Sequence, residues 1–256
     1  MNPRPDVIII GGGISGTATA WELAQHGVRT TLLEADNLAS MASGWTLAGV
    51  RQSGRHPAEL PLAQAAIKRW ARLAEELDAA VEYRQDGNLR LALTEEDTPT
   101  IRKVVEDGTS AGIEMRFLGS NDAVREIAPT LAPDIPAASW CPTDGHANPA
   151  ETVRAFAEAA RRAGADIRIA TPVRALRYIG DRVTGVEIDG EVLEADTVVV
   201  AAGVYTPRLL APLGIDVPLT LVPAIQTVPV EHPQLRQVLG QAQGGVALRQ
   251  QVSGHF

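Results

Sequence analysis

The sequence predicts an α/β fold in which one parallel sheet is visited twice, with antiparallel strands and helices inserted between the visits. Three observations carry this. The run Val7-Ile8-Ile9-Ile10 passes through the turn Gly11 to Gly16 into a helix over 14–26 and a strand over 28–34, which is a βαβ unit. A second apolar strand spans 196–202 and ends at Gly203. Between the two lie helical and strand-like segments with no internal repeat and no low-complexity linker.

Each element has a local cause. An unbroken apolar run such as 7–10 suits a strand buried on both faces of a parallel sheet, and Gly27 can end the helix that follows. Residues 38–55, with glycines and other small residues and no clean period, read as an extended loop. A helix is expected from Glu59 to about Asp78, with Pro61 in its first turn and Leu62, Ala66, Trp70, Leu73 and Leu77 near one face. After Asp86-Gly87 the alternation of Leu89, Leu91 and Leu93 predicts a strand, with Asn88, Arg90 and Ala92 on its other face.

Thr94 caps a helix that runs through Pro99 toward Ala111, followed by a strand over 114–118 and a short helix over 121–128. The proline-rich stretch 129–149 reads as a long structured loop, with Trp140 and Cys141 inside. Asn148 as N-cap and Pro149 at the first helical position predict a helix to about Ala163, closed by Gly164. A strand over 166–170, a hairpin of 174–178 with 182–188 around Gly180-Asp181, and a turn at Gly190 come next. Beyond Gly203, strands are expected over 220–230 and within 245–252.

At 256 residues the chain approaches the size at which one core gives way to two, so one large domain or two interleaved ones are expected. Its 45% apolar and 21% charged residues are those of an ordinary globular protein. A net charge of -8 argues against nucleic acid as a partner, because a phosphate backbone needs a concentrated basic face. The one cysteine, Cys141, excludes an intrachain disulfide and reads as a small buried apolar residue. The five histidines are dispersed and form no zinc motif, and Trp45, Trp70 and Trp140 read as packing residues. No segment has the length of a membrane span and no signal-like core precedes Val7, so a cytoplasmic protein, free or peripheral to a membrane, is expected.

The chemistry begins at Gly11, Gly13 and Gly16, which satisfy Gly-x-Gly-x-x-Gly between a strand and a helix. Gly11 permits the tight turn, Gly13 lets the backbone approach a pyrophosphate, and Gly16 permits close packing of helix on sheet. The pyrophosphate would lie at the positive helix N-terminus. Glu34, at the end of the second strand, is placed to accept hydrogen bonds from ribose hydroxyls and disfavours a 2'-phosphate. FAD and nicotinamide proteins share this fingerprint, so the residues alone leave an NAD-linked dehydrogenase open.

Further segments narrow the choice. These are Ala42-Ser43-Gly44, Gly49-Val50-Arg51-Gln52, Ala201-Ala202-Gly203, and the run from Cys141 to Pro149 containing Thr143-Asp144-Gly145-His146. With the glycine fingerprint and Glu34 they resemble the amine-oxidising FAD-dependent oxidoreductases of the D-amino-acid oxidase superfamily. The similarity is to the branch of glycine and sarcosine oxidases, hydrogen-cyanide synthase and the β subunits of dye-linked proline or opine dehydrogenases.

The resemblance implies an FAD-binding Rossmann-like parallel sheet with an interleaved α+β substrate lobe built on an antiparallel sheet. The FAD lobe would take residues 1–82 and 145–218, and the substrate lobe 83–144 and 219–256. It implies cofactor contacts from Gly11, Gly13, Ile14, Ser15, Gly16, Glu34, Ala35, Ser43, Val173, Ala202 and Gly203. It also implies oxidation of the carbon–nitrogen bond of a small amine, amino acid or imino acid to an imine, by hydride-equivalent transfer to flavin. The electrons would pass to oxygen, a quinone or an electron-accepting subunit, within a homo- or hetero-oligomer.

For the substrate, Arg51, Arg55 and His56 form the polar cluster of interest, since an arginine grips a carboxylate through paired charge-assisted bonds and a histidine can orient or protonate. Arg51 and His56 are the candidates there, with His146 as a third. Asp144 is expected to stabilise its turn, and Tyr205 and Arg249 to serve packing or the surface. Family members are longer than this chain, and its end at His255-Phe256 lacks a turn or cap, so a fragment is expected. The competing readings are the NAD-linked dehydrogenase and a noncatalytic dinucleotide-binding fragment or assembly component.

Overall fold

A computed structural model describes residues 4–222, 225 and 234–256. In chain order, β1 (Val7–Ile10), α1 (Ile14–Gln25) and β2 (Thr30–Leu33) form the opening βαβ unit. They are followed by β3 (Gly49–Val50), α2 (Leu60–Trp70), α3 (Leu73–Glu76), β4 (Asn88–Ala92), α4 (Thr98–Ser110), β5 (Arg116–Leu118) and α5 (Asn121–Ile127). Next come β6 (Ala137–Cys141), β7 (Gly145–His146), α6 (Pro149–Arg162), β8 (Asp166–Arg168), β9 (Val173–Ile179), β10 (Arg182–Ile188), β11 (Glu191–Glu194) and β12 (Thr197–Val200). The last are α7 (Thr206–Leu210), β13 (Val238–Gln241) and β14 (Ala247–Leu248). Among the described residues no helix is long and apolar enough to cross a membrane.

The chain divides into two compact units. Unit 1 comprises Met1–Thr46, Leu77–Val81 and Pro149–Ala224, and unit 2 comprises Leu47–Glu76, Glu82–Asn148 and Ile225–Phe256. Segment 47–76 therefore clusters with unit 2 and 77–81 with unit 1.

Unit 1 is built on a parallel sheet of order β12-β1-β2-β8. All of β1 and β2 is buried, β1 as an unbroken apolar run and β2 with Thr30 and Thr31 ahead of its leucines, and the return visit keeps an unshifted register, with Val7 opposite Thr197 and Ile10 opposite Val200. The strands' two faces have different neighbours. Ile8 and Ile10 share a core cluster with Leu33 and with Leu176, Val186 and Ile188 of the antiparallel meander β11-β10-β9. Gly180, at φ +58, makes the β9–β10 turn. Helices α1 and α6 pack together through Trp21 and Phe156, whose rings meet edge-on at 5.5 Å. In α6 the buried Val153, Phe156, Ala157 and Ala160 repeat at helical spacing.

Unit 2 holds a five-stranded sheet, β14-β13-β4-β6-β5, antiparallel except for the β13–β4 pair. One face buries Leu89, Leu91, Ala138 and Trp140 against Val124, Ile135 and Leu239. The other buries Ala92 and Ala137 against Ile101 of α4. Gly87, at φ +86, has no room for a side chain, because a Cβ there would enter the Trp140 ring. The two-stranded pair β3–β7 completes the unit.

Four expectations are corrected. The stretch 129–149 is not all loop: Ala137–Cys141 is a fully buried strand, and a strand covered on both faces shows no alternation for the sequence to display. The helix over 59–78 is broken into α2 and α3; Leu73 and Leu77 are buried as expected, but in α2 the buried residue is Ile67, whereas Leu62 is 77% exposed and Ala66 is exposed. Leu93 lies beyond β4 and is exposed, and Trp45 is 60% exposed, its indole N–H donating to the Ser40 carbonyl at 3.1 Å. Strand β13 was hidden in a glutamine-flanked run, while the strand expected over 220–230 falls mostly outside the described residues, as does His232.

Pro99 does not interrupt α4. It sits in the first turn, behind a 3-10 turn at Glu95–Asp97, where the Asp97 carboxylate accepts from the Leu93 and Thr94 amides at 2.9 and 3.2 Å. Those bonds hold the Asp97 carboxyl below its ordinary pKa.

Candidate functional site

In unit 1 the glycine-rich turn sits at the C-terminal end of β1. Gly11 donates to the Leu33 carbonyl at 2.8 Å, and Ala201 donates to Ile10 at 2.8 Å, so the ends of β2 and β12 flank the turn. Gly11 has φ +114, and a Cβ on it would strike the Ala201 carbonyl. One on Gly16 would strike the Gly11 carbonyl, which is the close helix-to-strand approach expected of this position. Gly13 caps α1 without a side-chain hydrogen bond, no acidic residue occupies the first turn, and the Ile14 amide donates to Ser43 Oγ at 3.0 Å. A Cβ on Gly13 would come within 2.8 Å of that oxygen.

Glu34 closes the other side. Its carboxylate accepts from the Gly12 amide at 2.6 Å and the Asp36 amide at 2.8 Å. Its backbone is tied to the next strand, with Glu34 N donating to Arg168 O and Thr171 N to Glu34 O, two residues ahead of Val173. The structure therefore brings Gly11, Gly13, Ile14, Gly16, Glu34, Ser43 and Ala202 around one turn. Ser15 and Ala35 lie exposed beside it, Gly203 opens the 3-10 turn after β12, and Val173 begins β9. Gly12 and Gly44 were missed. A Cβ on Gly12 would press on Glu34 Cγ and Leu38 Cδ2 at 2.9 Å, and one on Gly44 would strike the Ala39 carbonyl. Adjacency to the fingerprint was the available signal for Gly12.

In unit 2 the two most specific segments are zipped together. Gly49 pairs with His146 and Val50 with Gly145 in the β3–β7 ladder. Just beyond, Asp144, fully buried, accepts from the Gln52 amide at 2.8 Å, the Ser53 amide at 3.3 Å and the Ser53 hydroxyl, and Gln52 Nε2 donates to Thr143 Oγ1 at 2.8 Å. Burial pushes the Asp144 carboxyl above the usual range, opposed by the bonds from Ser53 and Gln52. Its expected turn-stabilising role thus extends to holding the loop that carries Arg51.

Arg51 is half-buried, and its Nη1 donates to the carbonyls of Ser53 at 2.6 Å and Gly54 at 3.4 Å. Desolvation lowers its pKa, and the charges of Arg55 and Arg90 lower it further. Arg55 pairs with Glu59 at 3.4 Å. His56 is exposed and caps the following turn, its Nδ1 accepting from the Ala58 amide at 3.2 Å.

His146 is buried. Its Nδ1 lies 3.2 Å from Arg249 Nη1 and its Nε2 3.2 Å from the Arg236 carbonyl. An arginine can only donate, so Nδ1 accepts and Nε2 carries the proton to Arg236. Burial first, then the Arg249 charge, push the His146 pKa down to about 4. Arg249 is therefore no surface residue but a buried partner of His146, whereas Tyr205 is 54% exposed. Cys141 is buried, and burial drives its thiol up to about 12, so it is no nucleophile at neutral pH. Arg90 lies on the strand face opposite Leu89 and Leu91, and periodicity reports of it only that it leaves the Leu89 core.

Residues 6–254 match the protein family described as FAD dependent oxidoreductase. The chain belongs to that family. Among its relatives, glycine oxidase of Bacillus licheniformis is 30% identical over 223 residues, covering 84% of this chain and 58% of that protein. Mitochondrial dimethylglycine dehydrogenase of Rattus norvegicus is 28% identical over 263 residues, covering 98% of this chain and 30% of that protein. The crystal structure of L-proline dehydrogenase from P. horikoshii superposes with a TM-score of 0.88 at 26% identity, over 100% of this chain and 69% of that one. The chain thus spans 58% of the length of one of these curated relatives and 30% of the other.

The cofactor of this family is FAD, and the nicotinamide alternative is set aside. The residues fit it: the first turn of α1 holds no acidic residue, the loop lacks side chains where a pyrophosphate must approach, and Glu34 retains lone pairs beyond its two backbone bonds.

Proposed function

We propose that the protein oxidises the carbon–nitrogen bond of a small amine, amino acid or imino acid to an imine. Support comes from the relatives, whose names place glycine, dimethylglycine and proline as substrates, each a carboxylate with a nitrogen on the adjacent carbon. The observation that carries the reading for this chain is the strapped Arg51 loop. Asp144 and Thr143 fix it, and its half-buried guanidinium has no ion pair among the described residues.

FAD, when bound, supplies the two-electron acceptor. The α1 amides at Ile14 and Ser15, with Gly11, Gly13 and Gly16 giving access, would hold its pyrophosphate, and Glu34 would accept from its ribose hydroxyls. Ala35, Ser43, Val173, Ala202 and Gly203 would line the cofactor. Unit 1 takes the cofactor and unit 2 the substrate. Arg51 holds the substrate carboxylate, while His56 and His146 support its loop and its strand. A companion polypeptide is a reasonable electron acceptor, since two of the relatives are themselves named as components of multi-chain enzymes, one an opine oxidase and the other a sarcosine oxidase. Oxygen and a quinone are the other acceptors.

The test is dye reduction by the FAD-loaded protein with glycine, sarcosine, proline and opines. At least one is expected to be oxidised, and inertness toward the whole panel would sink the reading. Arg51→Ala is expected to raise KM for a carboxylate substrate about tenfold to a hundredfold, the worth of a charge-assisted bond. Equal losses with a neutral amine would point to a folding defect instead.

A further inference from the structure

Unit 2 contains a second cation whose placement nothing above explains. Arg90 is half-buried on β4, and its guanidinium stands against Gly54: a Cβ there would lie 2.9 Å from Arg90 Nη2. Gly54, at φ +59, has no Cβ to meet that guanidinium. The carbonyl of the same residue is contacted by Arg51 Nη1 at 3.4 Å. Two guanidinium groups therefore flank one glycine. The carboxylates that act on Arg51 are already committed: Asp144 to Gln52 and Ser53, and Glu59 to Arg55. Neither Arg51 nor Arg90 makes an ion pair among the described residues.

Like charges held together with little water are unfavourable unless an anion joins them. Arg29, Arg168 and Arg174 each lie on a carboxylate, whereas Arg125, Arg162 and Arg249 are held by a backbone carbonyl or a histidine. We infer that Arg90 and Arg51 together form a carboxylate-binding site around Gly54, with Arg90 a specificity-determining residue that selects amino acids over simple amines. Two planar forks can share the two oxygens of one carboxylate, which explains why a glycine separates them. The inference rests on the reading of Arg51 above and deepens it.

The probe is acetate, with acetamide as its uncharged isostere and inorganic phosphate as a competing anion, titrated calorimetrically into the FAD-loaded protein. Acetate is expected to bind, acetamide to bind at least tenfold more weakly, and Arg90→Gln to weaken acetate at least tenfold without moving acetamide. Arg90→Lys, which keeps the charge and loses the fork, should fall between. It also carries the test should Arg90→Gln lose its cooperative unfolding transition. Acetate affinity equal in wild type and both variants overturns the inference, as does phosphate binding more tightly than acetate. These readings do not depend on turnover. A protein that oxidises amines yet binds acetate independently of Arg90 removes this inference alone. One that binds acetate through Arg90 yet oxidises no amine removes the proposed function and keeps the site.

Discussion

The two candidate sites are made by opposite means. Around the phosphate loop of unit 1 the work is done by missing side chains: Gly11, Gly12, Gly13 and Gly16 each stand where a Cβ would meet a neighbour. Around the Arg51 loop of unit 2 it is done by buried polar groups, with Asp144, Gln52, Ser53 and Thr143 satisfying one another. The first kind tolerates no added atom and the second no lost bond, so substitutions of opposite sense should separate them.

The largest effect is expected at Gly16. Its Cβ direction meets backbone, the Gly11 carbonyl, and neither the helix nor the strand can move without the other. Gly16→Val should destabilise the protein by about 3 kcal/mol or more and abolish retention of FAD. Gly27, at φ +75 with nothing within 4 Å, provides the contrast: Gly27→Ala should cost only about 1 kcal/mol, from backbone conformation alone. Denaturant midpoints and flavin absorbance of the two variants measure the gap, and equal losses would show that close approach is not what Gly16 provides.

That difference also explains what could be read in the sequence. A glycine requirement is local, so the fingerprint, β1, α1, β2 and the return strand β12 were all legible, as was the hairpin around Gly180. What escaped was decided by partners distant in sequence. Ala137–Cys141 is a strand because β4 and β5 flank it, and its composition alone says only that it is buried. Ile67, not Leu62, is the buried residue of α2 because Val50 and Ala147 pack against it. The segments Gly49–Gln52 and Thr143–His146 were both singled out, but their pairing across more than ninety residues was not, and neither was Arg90 beside Gly54.

In unit 2 the corresponding break is Asp144→Ala. It strands the Gln52 amide, the Ser53 amide and the Ser53 hydroxyl in a buried place. A loss of about 3 kcal/mol is expected, since each buried unsatisfied group costs about 1–3 kcal/mol and water recovers part of it. Flavin retention should survive in whatever fraction remains folded, in contrast to Gly16→Val. If Asp144→Ala releases FAD while its unfolding midpoint stays put, the division between the two sites is wrong.

A pH titration sharpens the same contrast. His146 is neutral in the folded state, with its pKa pushed down to about 4, whereas an unfolded histidine titrates near about 6.5. Between those values the unfolded chain binds the extra proton, so stability falls as pH drops through this window. The loss should reach about 3 kcal/mol by pH 4, and His146→Gln should remove that part of the slope. Asp144 works in the other direction: its raised pKa makes the folded state hold the proton more tightly as pH falls. A wild-type profile no steeper than that of His146→Gln between pH 6.5 and 4 would contradict the assigned tautomer and its partners.

The smallest effect is expected where the two means of construction meet. Ser43 belongs to unit 1, yet it acts through a hydrogen bond, accepting from the Ile14 amide at the start of α1. In Ser43→Ala the Ile14 amide loses a cap acceptor, a cost of about 1 kcal/mol in the protein without cofactor. A bound pyrophosphate can satisfy the same helix end, so with FAD present the cost should shrink. The thermal midpoint difference between wild type and Ser43→Ala should therefore be larger without FAD than with it. A difference that grows on adding FAD would mean that the serine hydroxyl serves the cofactor directly rather than standing in for it at the helix terminus.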